Sequence, residues 1–236
     1  MNRSLPVGGW QRRQPLVPWV LIALCLLCLM MMASVSLLGS AQVEAWVHFW
    51  GFSPSRVNSI LAQHPKVWLA TPDLASLATA LFVHVEWLHL LGNLAYLWVF
   101  GFAVERAVGH WRFALLFLLA GVFANLAVAW QMQATGVAVI GASGGVSGII
   151  GVYLGLFPRR RMGLWIPLGL YLQFARVPAL LVIGSWFALQ LLYTLFGPMS
   201  EDVAWHAHVA GFVAGLVMAM IMRVVPGQAS LAYRDD

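Results

Sequence analysis

Gly141-Ala142-Ser143-Gly144-Gly145-Val146-Ser147-Gly148 opens an uncharged run that continues to residue 157, with further glycines at 151 and 155. On an α-helix, residues three and four apart share a face. Gly144, Gly148, Gly151 and Gly155 would therefore leave one side of such a helix bare. A second backbone can approach that side closely, as small residues at this spacing allow between helices in membranes. A serine at the head of the run is either a simple N-cap or an exposed reactive group.

The segment suited to meet that face is Trp205-His206-Ala207-His208-Val209-Ala210-Gly211-Phe212-Val213-Ala214-Gly215. His208, Gly211 and Gly215 stand at i, i+3 and i+7, again on one face. A helix of this kind can press against the Ser143 helix. At that distance a serine–histidine hydrogen bond is possible, the activating step of nucleophilic catalysis. His206 lies about 200° round the helix from His208 and is expected in a structural role or at the mouth of a cavity.

Working outward, the solvent of this chain is lipid. Hydrophobic residues make up 61% and charged residues 9%, against roughly a quarter charged in soluble domains, and the mean hydropathy is +0.84. Six spans are expected, at about 16–38, 77–102, 113–132, 143–157, 177–196 and 205–225. The first exceeds the 7–15 apolar residues of a signal peptide and is read as a retained helix. Its Cys25 and Cys28 suggest packing, with no disulfide framework. Residues 39–76 form a long, aromatic-rich loop suited to the interfacial zone, and 162–176, broken by Gly163, Pro167 and Gly169, read as a membrane-associated loop.

The net charge of +5 belongs to short runs flanking the spans, which excludes a nucleic-acid partner and points to orientation signals. With the N-terminus in the cytoplasm, that side receives Arg3, Arg12, Arg13, Arg106, Arg112, Arg159, Arg160, Arg161, Arg176, Arg223 and Arg234. The opposite side receives only Arg56 and Lys66. The expected organisation is a short cytoplasmic N-terminal segment (1–15), one all-α membrane domain of six helices (16–225) and a cytoplasmic tail (226–236).

Ionisable and polar groups inside a membrane are costly and mark functional sites. Beside Ser143 and His208, the pattern His84-Val85-Glu86-Trp87-Leu88-His89-Leu90-Leu91-Gly92-Asn93 places His89 and Asn93 four apart. The pair either converges on one site or joins two helices by hydrogen bonds. His84 and His89 are five apart, about 140° round a helix, unlike the i, i+4 histidines of a zinc site. The aspartates Asp73, Asp202, Asp235 and Asp236 lie in loops or at the end, which excludes an aspartyl dyad in the membrane. No span carries the charged pathway of a transporter.

Taken together and in this order, three motifs resemble the rhomboid family over roughly residues 70–220. They are His84, His89 and Asn93 in the HxxxxHxxxN pattern; Gly141-Ala142-Ser143-Gly144 as GxSG; and Ala207-His208 through Gly211 and Gly215 as AHxxGxxxG. The link with Gly101, Glu105 and Gly109 is similar to the family's turn between the second and third spans. The resemblance implies a compact six-helix bundle and a serine–histidine dyad without an acidic third member. Ser143 would be the nucleophile and His208 the base, with an oxyanion hole from the Ser143 N–H, His89 and Asn93. Gly144, Gly148, Gly211 and Gly215 would pack the helices at the site.

It further implies an intramembrane endopeptidase acting on transmembrane protein substrates in the lipid bilayer, with no metal and no organic cofactor, in a bacterial inner membrane. The alternative is a catalytically silent relative that binds transmembrane segments. The sequence departs from some members at Ser147, where they carry an aromatic that stacks on the catalytic histidine. It also has Glu86 where a glycine is common, and its first loop lacks a Trp-Arg pair.

Overall fold

The computed structural model describes residues 17–132, 136–168, 171–196 and 205–224. The expected N-terminal segment 1–15 and tail 226–236 lie outside them, with Arg3, Arg12, Arg13 and Arg234 of the orientation pattern. The described chain runs α1 (Trp19–Ser36), α2 (Ser40–Trp50), α3 (Pro54–Leu61), α4 (Pro65–Ala70), α5 (Ser76–Thr79, flanked by 3-10 turns), α6 (Trp87–Val108), α7 (His110–Gln131), α8 (Ser143–Leu156), the strands β1 (Arg161–Leu168) and β2 (Tyr171–Pro178), α9 (Ala179–Phe196) and α10 (Trp205–Val224). Among the described residues, α1, α6, α7 and α10 are long and apolar enough to cross a membrane. This is the pattern of a multi-pass integral membrane protein.

Helix α8 is the axis of the bundle. It buries nearly every residue from Gly144 to Leu156, as a helix apolar on all sides must. Its glycine side meets α10 without intervening side chains. A Cβ on Gly211 would overlap the Gly144 carbonyl, and one on Gly215 the Gly148 carbonyl. Further along, Gly155 meets Ala219, so the contact order 144–211, 148–215, 155–219 makes the two helices parallel. The opposite side of Gly144 and Gly148 rests on Ala124 and Ala120 of α7. At the far end Arg223 donates from Nη1 to the Gly155 carbonyl at 3.1 Å, placing a cation where helix carbonyls lack partners.

A buried carboxylate joins the first helix to this core. The α1 N-cap is Pro18, whose side chain offers no acceptor, so the first N–H groups need one from elsewhere. Glu105 of α6, fully buried, supplies it: Val20 N–H donates to Oε1 at 2.9 Å and Leu21 N–H to Oε2 at 2.7 Å. His110 Nδ1 lies 2.5 Å from the same Oε1. The intervening turn passes through Gly109 at φ +86°, a conformation glycine adopts without strain.

Two expectations need correction. The second span begins at Trp87 rather than near 77, because residues 72–82 form short α and 3-10 turns that break at an extended Val83. The expected all-α fold and the loop at 162–176 give way to an antiparallel hairpin in an otherwise helical protein, pairing Arg161 with Pro178 through Leu168 with Tyr171. Gly163 and Pro167 exclude a helix but are tolerated in a two-stranded ribbon, where both strands are edges. The first loop is likewise mostly helical, and it is fastened to α7 by Asn58 Nδ2 on the Ala129 carbonyl and Asn125 Nδ2 on the Leu77 carbonyl.

Candidate active site

Ser143 is the first residue of α8, so its N–H belongs to the turn that has no intrahelical acceptor and carries the positive end of the helix dipole. The chain reaches it through a lead-in held at several backbone points. Phe52 and Val139 exchange both backbone hydrogen bonds, at 3.1 and 2.8 Å. The Gly141 N–H donates to the Ala80 carbonyl at 2.9 Å. Gly141 itself has φ +121°, and a Cβ there would lie 3.3 Å from His89 Cε1. Conformation and space both require glycine at this position.

His84 precedes α6 and is buried. Its Nε2 lies 3.3 Å from the Ala142 N–H and 3.1 Å from Asn93 Nδ2. A backbone N–H can only donate, so Nε2 is an acceptor and the ring proton sits on Nδ1. Asn93 is thereby oriented with one amide hydrogen on His84 and the other free to serve the cavity. His89 stacks edge-on to His84, ring centres 5.4 Å apart, and opens to the same cavity. The sequence motif contained His84 without showing this task, since the contact depends on how residues 80–86 turn.

His208 lies in the first turn of α10, one turn before the Gly211–Gly144 crossing. Because the two helices are parallel, His208 and Ser143 both lie toward the N-terminal side of that crossing, and both line the same cavity. The Trp205 ring stands edge-on to the imidazole at 5.7 Å and 87°. Gln190 of α9 places Oε1 2.9 Å from His208 Nδ1. Gln190 is absent from every sequence motif, and its only sequence signal is an amide within an apolar run.

Ser143, His208, His89 and Asn93 all line one cavity of about 560 Å³, with Ser147, Trp186 and Gln190 among its other walls. Ser147 is buried and small, leaving the ring of His208 to Trp205 and Gln190. His206 does not reach this cavity. It faces a separate depression with Trp130 and Gln131, which leaves the structural role of the two expected for it. The half-turn between 206 and 208 sends the two side chains to different sides of α10.

A Rhomboid domain family model matches residues 71–224. The chain is similar to Rhomboid protease GlpG of Salmonella paratyphi A, 28% identical over 207 residues that cover 87% of this chain and 62% of that protein. The protein of the same name from Salmonella newport matches to the same extent. Rhomboid-like protein 11, chloroplastic, of Arabidopsis thaliana is 26% identical over 166 residues, 66% of this chain and 55% of that one. The chain thus spans less than two thirds of the length of these relatives.

Proposed function

The chain belongs to the rhomboid family, and from that membership we propose that it is a serine endopeptidase cleaving transmembrane segments of other membrane proteins. The observation that carries the reading is the convergence of Ser143, His208, His89 and Asn93 on one cavity beside a helix crossing with no side chains in it. Neutral His208 accepts the Ser143 hydroxyl proton as Oγ attacks the peptide carbonyl. The oxyanion is held by the Ser143 N–H with His89 and Asn93. His208 then gives its proton to the leaving amine, and water releases the acyl group by the reverse sequence. No metal or organic cofactor enters these steps.

The depth of the site follows from helix length. The 14 residues of α8 span about 21 Å at a rise of 1.5 Å each, against a hydrocarbon core of about 30 Å. Arg159, Arg160 and Arg161 follow α8 and set its far end at the cytoplasmic boundary. Ser143 then lies about 9 Å below the outer boundary, reached by water through the cavity. Six crossings, a cytoplasmic N-terminus and a bacterial inner membrane complete the reading. Small residues at the cleaved position suit a cavity between closely packed helices.

The test is labelling of the purified, detergent-solubilised protein by a fluorophosphonate serine probe, alongside Ser143→Ala and His208→Ala. Labelling of wild type that disappears in both variants is the expected result. A folded wild type that does not label, or a His208→Ala variant that labels as well as wild type, removes the dyad. The reading then becomes a silent protein that binds transmembrane segments.

A further inference from the structure

A neutral imidazole is a base toward serine only when the nitrogen facing the hydroxyl is the unprotonated one, and that tautomer is set by what the other nitrogen touches. In a triad an aspartate performs this task. Among the described residues, the ionisable groups that line the cavity with His208 are Glu86, which precedes α6, and His89 and Tyr96 of α6; α9 carries no Asp, Glu, His, Lys or Arg, and His206 on α10 faces away. What meets Nδ1 is the Gln190 side chain, with Oε1 at 2.9 Å.

We propose that Gln190 is the positioning residue of the base. Its carbonyl oxygen accepts the Nδ1–H, which leaves the Nε2 lone pair for Ser143. The oxygen is the only end of the amide compatible with the whole cycle. When His208 becomes an imidazolium both ring nitrogens carry hydrogen, and an amide NH2 facing Nδ1 would then oppose a second donor. The acceptor stays uncharged throughout, so Gln190 orients the ring and lends the cation a dipole instead of a full negative charge. Two contacts hold α9 where the amide must be. Phe187 stacks on Phe212 of α10 at 4.4 Å, and Trp186 packs on the same ring at 6.1 Å.

This inference rests on the dyad reading, and the experiment separates the two. Full-length protein carrying Gln190→Met, unbranched and close in volume, is compared with Gln190→Glu and wild type. The readouts are the probe-labelling rate, cleavage of a transmembrane substrate and melting in detergent. Expected for Gln190→Met is a labelling rate and kcat about 10- to 100-fold lower with KM nearly unchanged. That is milder than the roughly 10⁴-fold loss when a triad tautomer is reversed.

Gln190→Glu should restore most of the rate and move the acid limb of the pH–rate profile upward. A carboxylate beside the imidazolium raises the pH at which the base becomes protonated and inactive. Should Gln190→Met fail to fold, the acid limb of Gln190→Glu alone decides. A Gln190→Met variant as fast as wild type, or a Gln190→Glu variant with an unmoved acid limb, overturns the role of Gln190. If Ser143→Ala and His208→Ala still abolish labelling, the dyad stands without it. His208→Ala that labels like wild type removes the dyad itself.

Discussion

The two sides of the cavity are built differently. On the Ser143 side, position is set mainly by backbone: the Phe52–Val139 bridge, the Gly141 N–H on the Ala80 carbonyl, and a helix whose glycines touch α10 directly, with the His84 side chain adding one contact to the Ala142 N–H. On the His208 side, the ring is oriented by the side chains of Gln190 and Trp205, and Gln190 stands on a helix whose outer face is largely exposed, as at Leu181, Leu189 and Leu195. Backbone contacts are either present or the fold fails, whereas side-chain contacts can be removed one at a time. Substitutions on the first side should therefore register mainly in stability, and those on groups facing the cavity mainly in turnover.

Three substitutions can break or sharpen that division. Asn93→Ala removes an amide donor that faces the cavity. Turnover is expected to fall about 10²- to 10³-fold, or about 3–4 kcal/mol of transition-state stabilisation, measured as kcat on a transmembrane substrate at matched melting temperature. An unchanged kcat would place the oxyanion elsewhere. Gly215→Ala puts a methyl group into the Gly148 carbonyl and should cost about 1–3 kcal/mol of stability through overpacking. Thermal melting in detergent is the readout, with activity per folded molecule changed less than by Asn93→Ala. Loss of turnover at unaltered melting would show that the glycine contact tunes the site rather than the fold. Least affected is His206→Ala, outside the cavity, where both melting and kcat should stay within about 0.5 kcal/mol of wild type; a large drop in kcat would move the base assignment toward this histidine.

Much of this was legible before any coordinates. Glycine at 144, 148, 151 and 155 announces a bare helix face because helical periodicity is rigid and glycine has no side chain to misread. The same arithmetic separates His206 from His208. The reading faltered where the relevant geometry is not helical. Residues 77–86 look apolar enough to continue a span, yet they turn, and that turn brings His84 to Asn93 and Ala142. Gly163 and Pro167 mark the end of helix without saying what replaces it, because a ladder pairs each residue with one outside its own local run, Gly163 with Arg176 and Pro167 with Leu172.

The amino-acid sequence by itself determined the lipid setting, the main apolar helices, the bare faces of α8 and α10 and the residue types able to carry nucleophilic chemistry. Each of these follows from local composition or from a periodicity of 3.6, which needs no knowledge of neighbours in space. Only the tertiary structure decided that α8 and α10 run parallel in glycine-to-glycine contact, that His84 orients Asn93, that Glu105 caps α1, and that an amide from α9 meets His208. These contacts join residues up to 85 positions apart. Such pairings depend on where loops return the chain, and a single polar residue in an apolar helix carries no signal of its partner until the helices are packed.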